Sequence, residues 1–144
     1  MLKEAYITDA KQAAELALLL WPNNELEEFI KDMEQFISKE EAFIILAYNR
    51  DEAIGFAQCQ LRFDYVEGTD SSPVGYLEGL YVKDAYRNQG IARQLVEACE
   101  GWAKEKGCTE FASDCELTNL NSAAMHMKLG FEEANRIICF KKKL

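Results

Sequence analysis

Arg87-Asn88-Gln89-Gly90-Ile91-Ala92 stands between a run that reads as a buried strand and a run that reads as a helix. A turn entering a helix leaves several backbone N–H groups unpaired, and the helix dipole adds partial positive charge there. Together they suit an anion such as phosphate. Gly90 admits a large anion close to the backbone, Ala92 is small for the same purpose, and Arg87 adds a full positive charge. A turn of this form also serves purely structural ends. The Walker pattern needs Gly-Lys-Ser/Thr, which is absent, and this disfavours nucleotide hydrolysis. Two carboxylates, Glu78 and Asp114, lie within otherwise apolar, strand-like runs. An unpaired charge is costly in such a place, so both are candidate functional residues.

The elements that must position these residues follow from periodicity and turn chemistry. Residues 4–8 read as a short strand, with Asp9 as the cap of a helix over 10–20 that Trp21-Pro22 ends. A second helix over 24–38 has Leu26, Phe29, Ile30, Met33, Phe36 and Ile37 at helical spacing. Strands are expected over 43–49 and 53–63, joined by an Asn-Arg-Asp-Glu hairpin turn. A polar loop covers 64–75, a strand 74–83, a helix 89–106 ending at Gly107, a strand 109–115, a short helix 118–131 and a last strand 136–142. The order β-α-α-β-β-β-α-β-α-β predicts an α/β (α+β) protein with a mixed sheet. Hairpins in the first half imply antiparallel pairing, and the β-α-β unit over 74–115 implies two parallel strands. One domain over 1–144 is expected from the length and the lack of a linker.

The bulk properties exclude several classes. Net charge is -9, from 16 Lys plus Arg and 25 Asp plus Glu. Such a surface repels nucleic acid and anionic membranes and attracts cations. The five cysteines (Cys59, Cys99, Cys108, Cys115, Cys139) form no CxxC, and no signal peptide precedes them. Reduced thiols in a cytoplasmic protein are expected. The single histidine, His126, leaves no recurring ligand spacing, so no metal is expected. No apolar run reaches membrane-span length.

The stretch "YVKDAYRNQGIARQLV" resembles the acetyl-coenzyme A signature of the GNAT acyltransferase superfamily, Arg/Gln-x-x-Gly-x-Gly/Ala. Asn119, then a helix, then Gly130-Phe131 resembles a second feature of that superfamily, in the right order. The resemblance implies a GNAT fold over the whole chain: a mostly antiparallel sheet with splayed parallel middle strands and helices on both faces. It implies that the N–H groups of Arg87, Asn88, Gln89, Gly90, Ile91 and Ala92 hold the pyrophosphate of coenzyme A. The backbone of Leu80, Tyr81 and Val82 would pair with the pantetheine arm, and Asn119 would hydrogen-bond it. A backbone N–H near Tyr81 or Val82 would meet the developing oxyanion. Many members carry a tyrosine acid where this chain has His126. Histidine could replace it near neutral pH, or could only pack beside the cofactor.

"DYVEGTDSSPVGYLEGLYV", "GCTEFASDC", Trp21-Pro22 and the ending "CFKKKL" are similar to one short bacterial subgroup of the aminoglycoside 6′-N-acetyltransferases. That similarity implies acetyl transfer from acetyl-coenzyme A to an amine of a polycationic antibiotic, in a homodimer. The acidic composition suits such an acceptor. An ammonium has no lone pair. At a Lys-like pKa of ~10.4, its deprotonation at neutral pH costs roughly 4–5 kcal/mol. Carboxylates that bind the cation also raise its pKa, unless one accepts the proton during attack. Asp114 and Glu78 are the expected pair for this work, and which of them takes the proton stays open. Trp21, Tyr65, Glu67 and Asp70 are further acceptor-site candidates; Tyr76 could stack on a sugar or simply pack. A GNAT acetyltransferase for another amine and a non-catalytic coenzyme A-binding module are the alternatives.

Overall fold

A computed structural model describes residues 1–144. In chain order the elements are β1 (Leu2–Glu4), α1 (Ala10–Leu20), α2 (Leu26–Ile37), β2 (Ala42–Asn49), β3 (Glu52–Arg62), β4 (Val74–Val82), α3 (Ile91–Glu105), β5 (Phe111–Ala112) and α4 (Leu120–Lys128). The strands neighbour one another in that same order. β1 to β4 pair antiparallel, and β4 pairs parallel with β5. This is the mixed, mostly antiparallel sheet expected from the hairpins and the β-α-β unit.

Both faces of the sheet are covered, and alternation along the strands explains how. Ile44 and Leu46 of β2 and Phe56 of β3 face one way, into a core built with Ala13, Ala14, Leu16 and Ala17 of α1 and Met33 of α2. The small alanines let α1 lie close on the sheet. Ile45 and Ala47 face the other way, with Ala57, Cys59 and Leu77, against Leu95, Val96 and Cys99 of α3. A strand buried on both faces reads as the continuous apolar run seen at 43–47. Glu27 and Glu28 stand in the first turn of α2, where the helix dipole favours anions.

Four expectations change. The strand expected over 4–8 stops at Glu4. The Asp9 carboxylate accepts from Lys3 Nζ at 2.8 Å and from the Tyr6 N–H at 2.9 Å, which folds Ile7–Asp9 into a 3-10 turn. Asp9 is thus the residue before α1 without capping it through its side chain. The strand expected over 109–115 holds its pairing only at Phe111–Ala112. The strand expected over 136–142 pairs with nothing: residues 132–144 make no backbone–backbone hydrogen bond, and Ile137, Ile138 and Phe140 are 68, 80 and 89% exposed. Its apolar residues mark it as a strand, but no edge of its own sheet lies beside it. β5 is therefore the edge of the sheet.

Two irregularities of β4 create the site. The β3–β4 register slips so that Gln58 faces Gly79 and Cys59 faces Leu77, leaving Glu78 unpaired in a bulge. On the other side, β4 meets β5 only at Gly75–Phe111 and Tyr76–Ala112. Beyond Tyr76 the parallel strands part, and the outer edge of β4 from Leu77 to Val82 has no strand beside it.

Candidate active site

Simple alternation places Glu78 on the face of Leu80 and Val82. The bulge overturns this. Leu77, Leu80 and Val82 all join the α3-side core, so Glu78 lies on the opposite face, with Tyr76. There its side chain is 20% exposed and fully engaged. Arg62 Nη2 donates to its Oε1 at 2.8 Å and to Oε2 at 3.2 Å, and Gln60 Nε2 donates to Oε2. The Arg62 guanidinium also lies 3.4 Å from the centroid of the Tyr76 ring. Tyr76 Oη in turn donates to Asp114 Oδ2. One connected network, Gln60–Glu78–Arg62–Tyr76–Asp114, thus joins the two carboxylates singled out in the sequence.

Asp114 is not embedded in a strand as expected. It lies two residues beyond β5 and is exposed, because the parallel pairing has already ended. Its only side-chain hydrogen bond is the one from Tyr76. Burial, then the hydrogen bond to Asp114, push the Tyr76 phenol well above the ordinary tyrosine range, so it keeps its proton at neutral pH and acts as a donor. Trp21, 37% exposed, lies over β4 at Gly79. A Cβ at Gly79 would stand 2.7 Å from its Cη2, so only glycine admits the indole there.

The turn after β4 has the donor geometry of an anion site. Asn88 and Gly90 both have positive φ, 62° and 80°, and the backbone N–H groups of Asn88 to Ala92 donate to no protein acceptor. Alternation of left- and right-handed residues turns successive N–H groups toward one side. A Cβ at Gly90 would meet nothing within 4 Å, so glycine is required by the backbone angle rather than by crowding. Arg87 folds back on the strand: its Nε donates to the Val82 carbonyl at 2.8 Å and Nη1 pairs with Asp84 at 2.9 Å. It braces the turn while keeping its charge beside it. The open edge of Leu80 to Val82 leads into this turn, and these groups fit a coenzyme A that lays its pantetheine along a strand edge and its pyrophosphate on amides.

Asn119 caps α4, its Oδ1 accepting from the Ser122 N–H at 3.1 Å, which leaves its amide nitrogen available. His126 Nδ1 lies 2.7 Å from the Ser122 carbonyl, to which it must donate. Its Nε2 lies 2.7 Å from Ser113 Oγ, so in the neutral ring it accepts the serine proton. It thereby ties α4 to the residue before Asp114. The other acceptor candidates are dispersed. Tyr65 is 77% exposed, Glu67 accepts from Asn135 Nδ2 at 2.7 Å, and Asp70 is fixed through its backbone N–H to Glu110 at 2.8 Å. No group of three or more His, Cys, Asp or Glu is placed to hold a metal.

Gln60 and Arg62 were not singled out in the sequence. Their signal is two polar residues with period 2 at the end of an otherwise apolar strand. It becomes informative only once β3 is paired with the bulged β4.

Comparison with known proteins finds the same scaffold. The family described as "Acetyltransferase (GNAT) family" matches residues 10–131. An aminoglycoside N(6′)-acetyltransferase type 1 from Acinetobacter haemolyticus is 42% identical over 143 residues, 99% of this chain and 98% of the relative. One of the same description from Acinetobacter baumannii is 45% identical over 90% of this chain and 88% of its own length. Among solved structures, AAC(6′)-Iy in complex with the bisubstrate analogue CoA-S-monomethyl-acetylneamine superposes with a TM-score of 0.95 at 36% identity, over 100% of this chain and 98% of that one.

Proposed function

The chain belongs to the GNAT acetyltransferase family, and from that premise we propose that it transfers an acetyl group from acetyl-coenzyme A to the 6′-amine of an aminoglycoside. The observation that carries this is the near full-length relationship to enzymes of that description, in a chain whose Glu78 and Asp114 are joined through Arg62 and Tyr76. Acetyl-coenzyme A, when bound, supplies the acetyl group as an activated thioester. The residues that would hold it are the backbone of Leu80 to Val82, the N–H groups of Asn88 to Ala92, and the Asn119 amide.

The remaining chemistry belongs to the chain. Glu78 presents a carboxylate whose oxygens are already held by Arg62 and Gln60, so it fixes negative charge at a defined place. Asp114 accepts a single side-chain bond and is exposed, which leaves lone pairs for an acceptor amine. Asp114 therefore binds the ammonium and takes its proton before the freed lone pair attacks, a deprotonation that costs roughly 4–5 kcal/mol at neutral pH. Only the imidazolium form of His126 could act as an acid; the neutral ring holds Ser113. Trp21 offers an apolar face to a sugar, while Tyr65, Glu67 and Asp70 are exposed in the loop before β4.

The protein works in the cytoplasm as one domain over 1–144, without nucleic acid or membrane partners; five free cysteines and a net charge of -9 support this, and no helix is long and apolar enough to cross a membrane. It forms a homodimer through residues 136–142, whose unpaired backbone and exposed Ile137, Ile138 and Phe140 suit an edge strand on a second copy.

Thiol release from acetyl-coenzyme A tests the reaction, with kanamycin, a 6′-hydroxyl aminoglycoside and spermidine as acceptors. Turnover with kanamycin and none with the hydroxyl analogue is expected. Turnover with spermidine alone would overturn the antibiotic assignment and retain the acetyltransferase.

A further inference from the structure

Arg62 poses an electrostatic problem. It is a permanent cation stationed among the carboxylates that are to receive a cationic amine, and its presence there weakens the attraction. Its side chain is 41% exposed, so the ion pair with Glu78 adds little to folding. Its geometry, however, is singular. The planar fork spans both oxygens of Glu78, and the same plane lies on the ring of Tyr76, the one side chain that holds Asp114. Glu78 sits in a bulge and Asp114 lies past the end of β5, so regular strand pairing fixes neither of them.

We propose that Arg62 is a positioning residue for the acetyl transfer: through its fork on Glu78 and its stacking on Tyr76 it sets the relative placement of Glu78 and Asp114, at some loss in affinity for the cationic acceptor. The inference rests on the acetyltransferase reading above. An arginine is required because a lysine presents a point charge with neither a fork nor a plane to stack. The groups that engage Glu78 are Gln60 and Arg62 from β3, with Tyr76 against the guanidinium and, through Tyr76, Asp114. Arg62 is thus the only positive group on it.

The test is steady-state kinetics with kanamycin for Arg62→Lys, Arg62→Gln and Tyr76→Phe. Arg62→Gln is expected to lower kcat by at least tenfold while KM for kanamycin stays level or falls. Arg62→Lys should lose kcat to a similar extent, since charge without the fork does not restore the placement. Tyr76→Phe should lower kcat, and the double variant Arg62→Gln with Tyr76→Phe should fall no more than about threefold below the lower single variant, because both act on one unit. Full kcat in Arg62→Lys, or a raised KM with kcat intact in Arg62→Gln, would overturn the proposal. If Arg62→Gln does not fold, Arg62→Lys and the double variant Arg62→Lys with Tyr76→Phe decide the same question. Absence of wild-type turnover with kanamycin would instead refute the function on which the proposal rests.

Discussion

At the scale of single residues, the site depends on two carboxylates in unlike situations. Glu78 is bound on both oxygens, whereas Asp114 receives one bond from a phenol that stays protonated. Asp114 therefore has the greater capacity left for a transferable proton. Asp114→Asn should therefore lower kcat at least tenfold with the melting temperature nearly unchanged, since the residue is exposed and carries no packing. A variant with unaltered kcat would remove Asp114 from the mechanism. Both carboxylates were legible in the sequence because charge inside an apolar run stands out. Their partners Gln60 and Arg62 were not, and Tyr76 was legible only as a stacking or packing residue, because a partner is defined by placement across the sheet.

At the scale of elements, two local structures make separate predictions. The turn from Arg87 to Ala92 holds Gly90 at φ 80°, which a β-branched residue cannot adopt without strain. Gly90→Val should weaken acetyl-coenzyme A binding at least tenfold in calorimetry and leave kanamycin binding within about threefold. Equal losses for both would detach this turn from the phosphate site. The second structure is the link from β1 to α1. Asp9 is 6% exposed, and burial alone would raise its pKa. The Lys3 hydrogen bond and the Tyr6 N–H outweigh that and hold it below the usual aspartate range. A carboxyl with a depressed folded-state pKa contributes stability that is complete above its unfolded value of about 3.9 and is lost as pH falls through the folded value. Asp9→Asn should reduce stability by about 1–3 kcal/mol at neutral pH and flatten the loss below pH ~4, as read from urea unfolding across pH.

At the scale of the molecule, residues 132–144 leave the body of the protein. Asn135 ties the start of this segment to Glu67, and Ala134 packs against Gly68, but its backbone then runs on unpaired. An exposed segment with three large apolar side chains gains stability in water when a strand edge covers it. Ile138→Asp with Phe140→Asp should halve the mass seen in light scattering while the circular dichroism of the body is retained. A wild-type protein that is monomeric at micromolar concentration would refute the dimer.

What the sequence determined by itself is what short-range physics controls. Helical and alternating periodicity located both helices of the first half and the two long strands of the hairpin. Turn chemistry located the amide-rich turn at Gly90, and the charge balance suited the cationic acceptor that the resemblance implied. The tertiary structure decided what pairing controls. One slipped register between β3 and β4 moved Glu78 to the face opposite Leu80 and Val82, a change invisible to any count of twos along one strand. The early parting of β4 and β5 left Asp114 beyond the sheet and opened the edge of Leu77 to Val82. Arg62 came to stand on Tyr76 and Glu78 only because two distant stretches of chain share one sheet. Hydrogen-bond register is a property of two strands together, so neither strand's own sequence contains it.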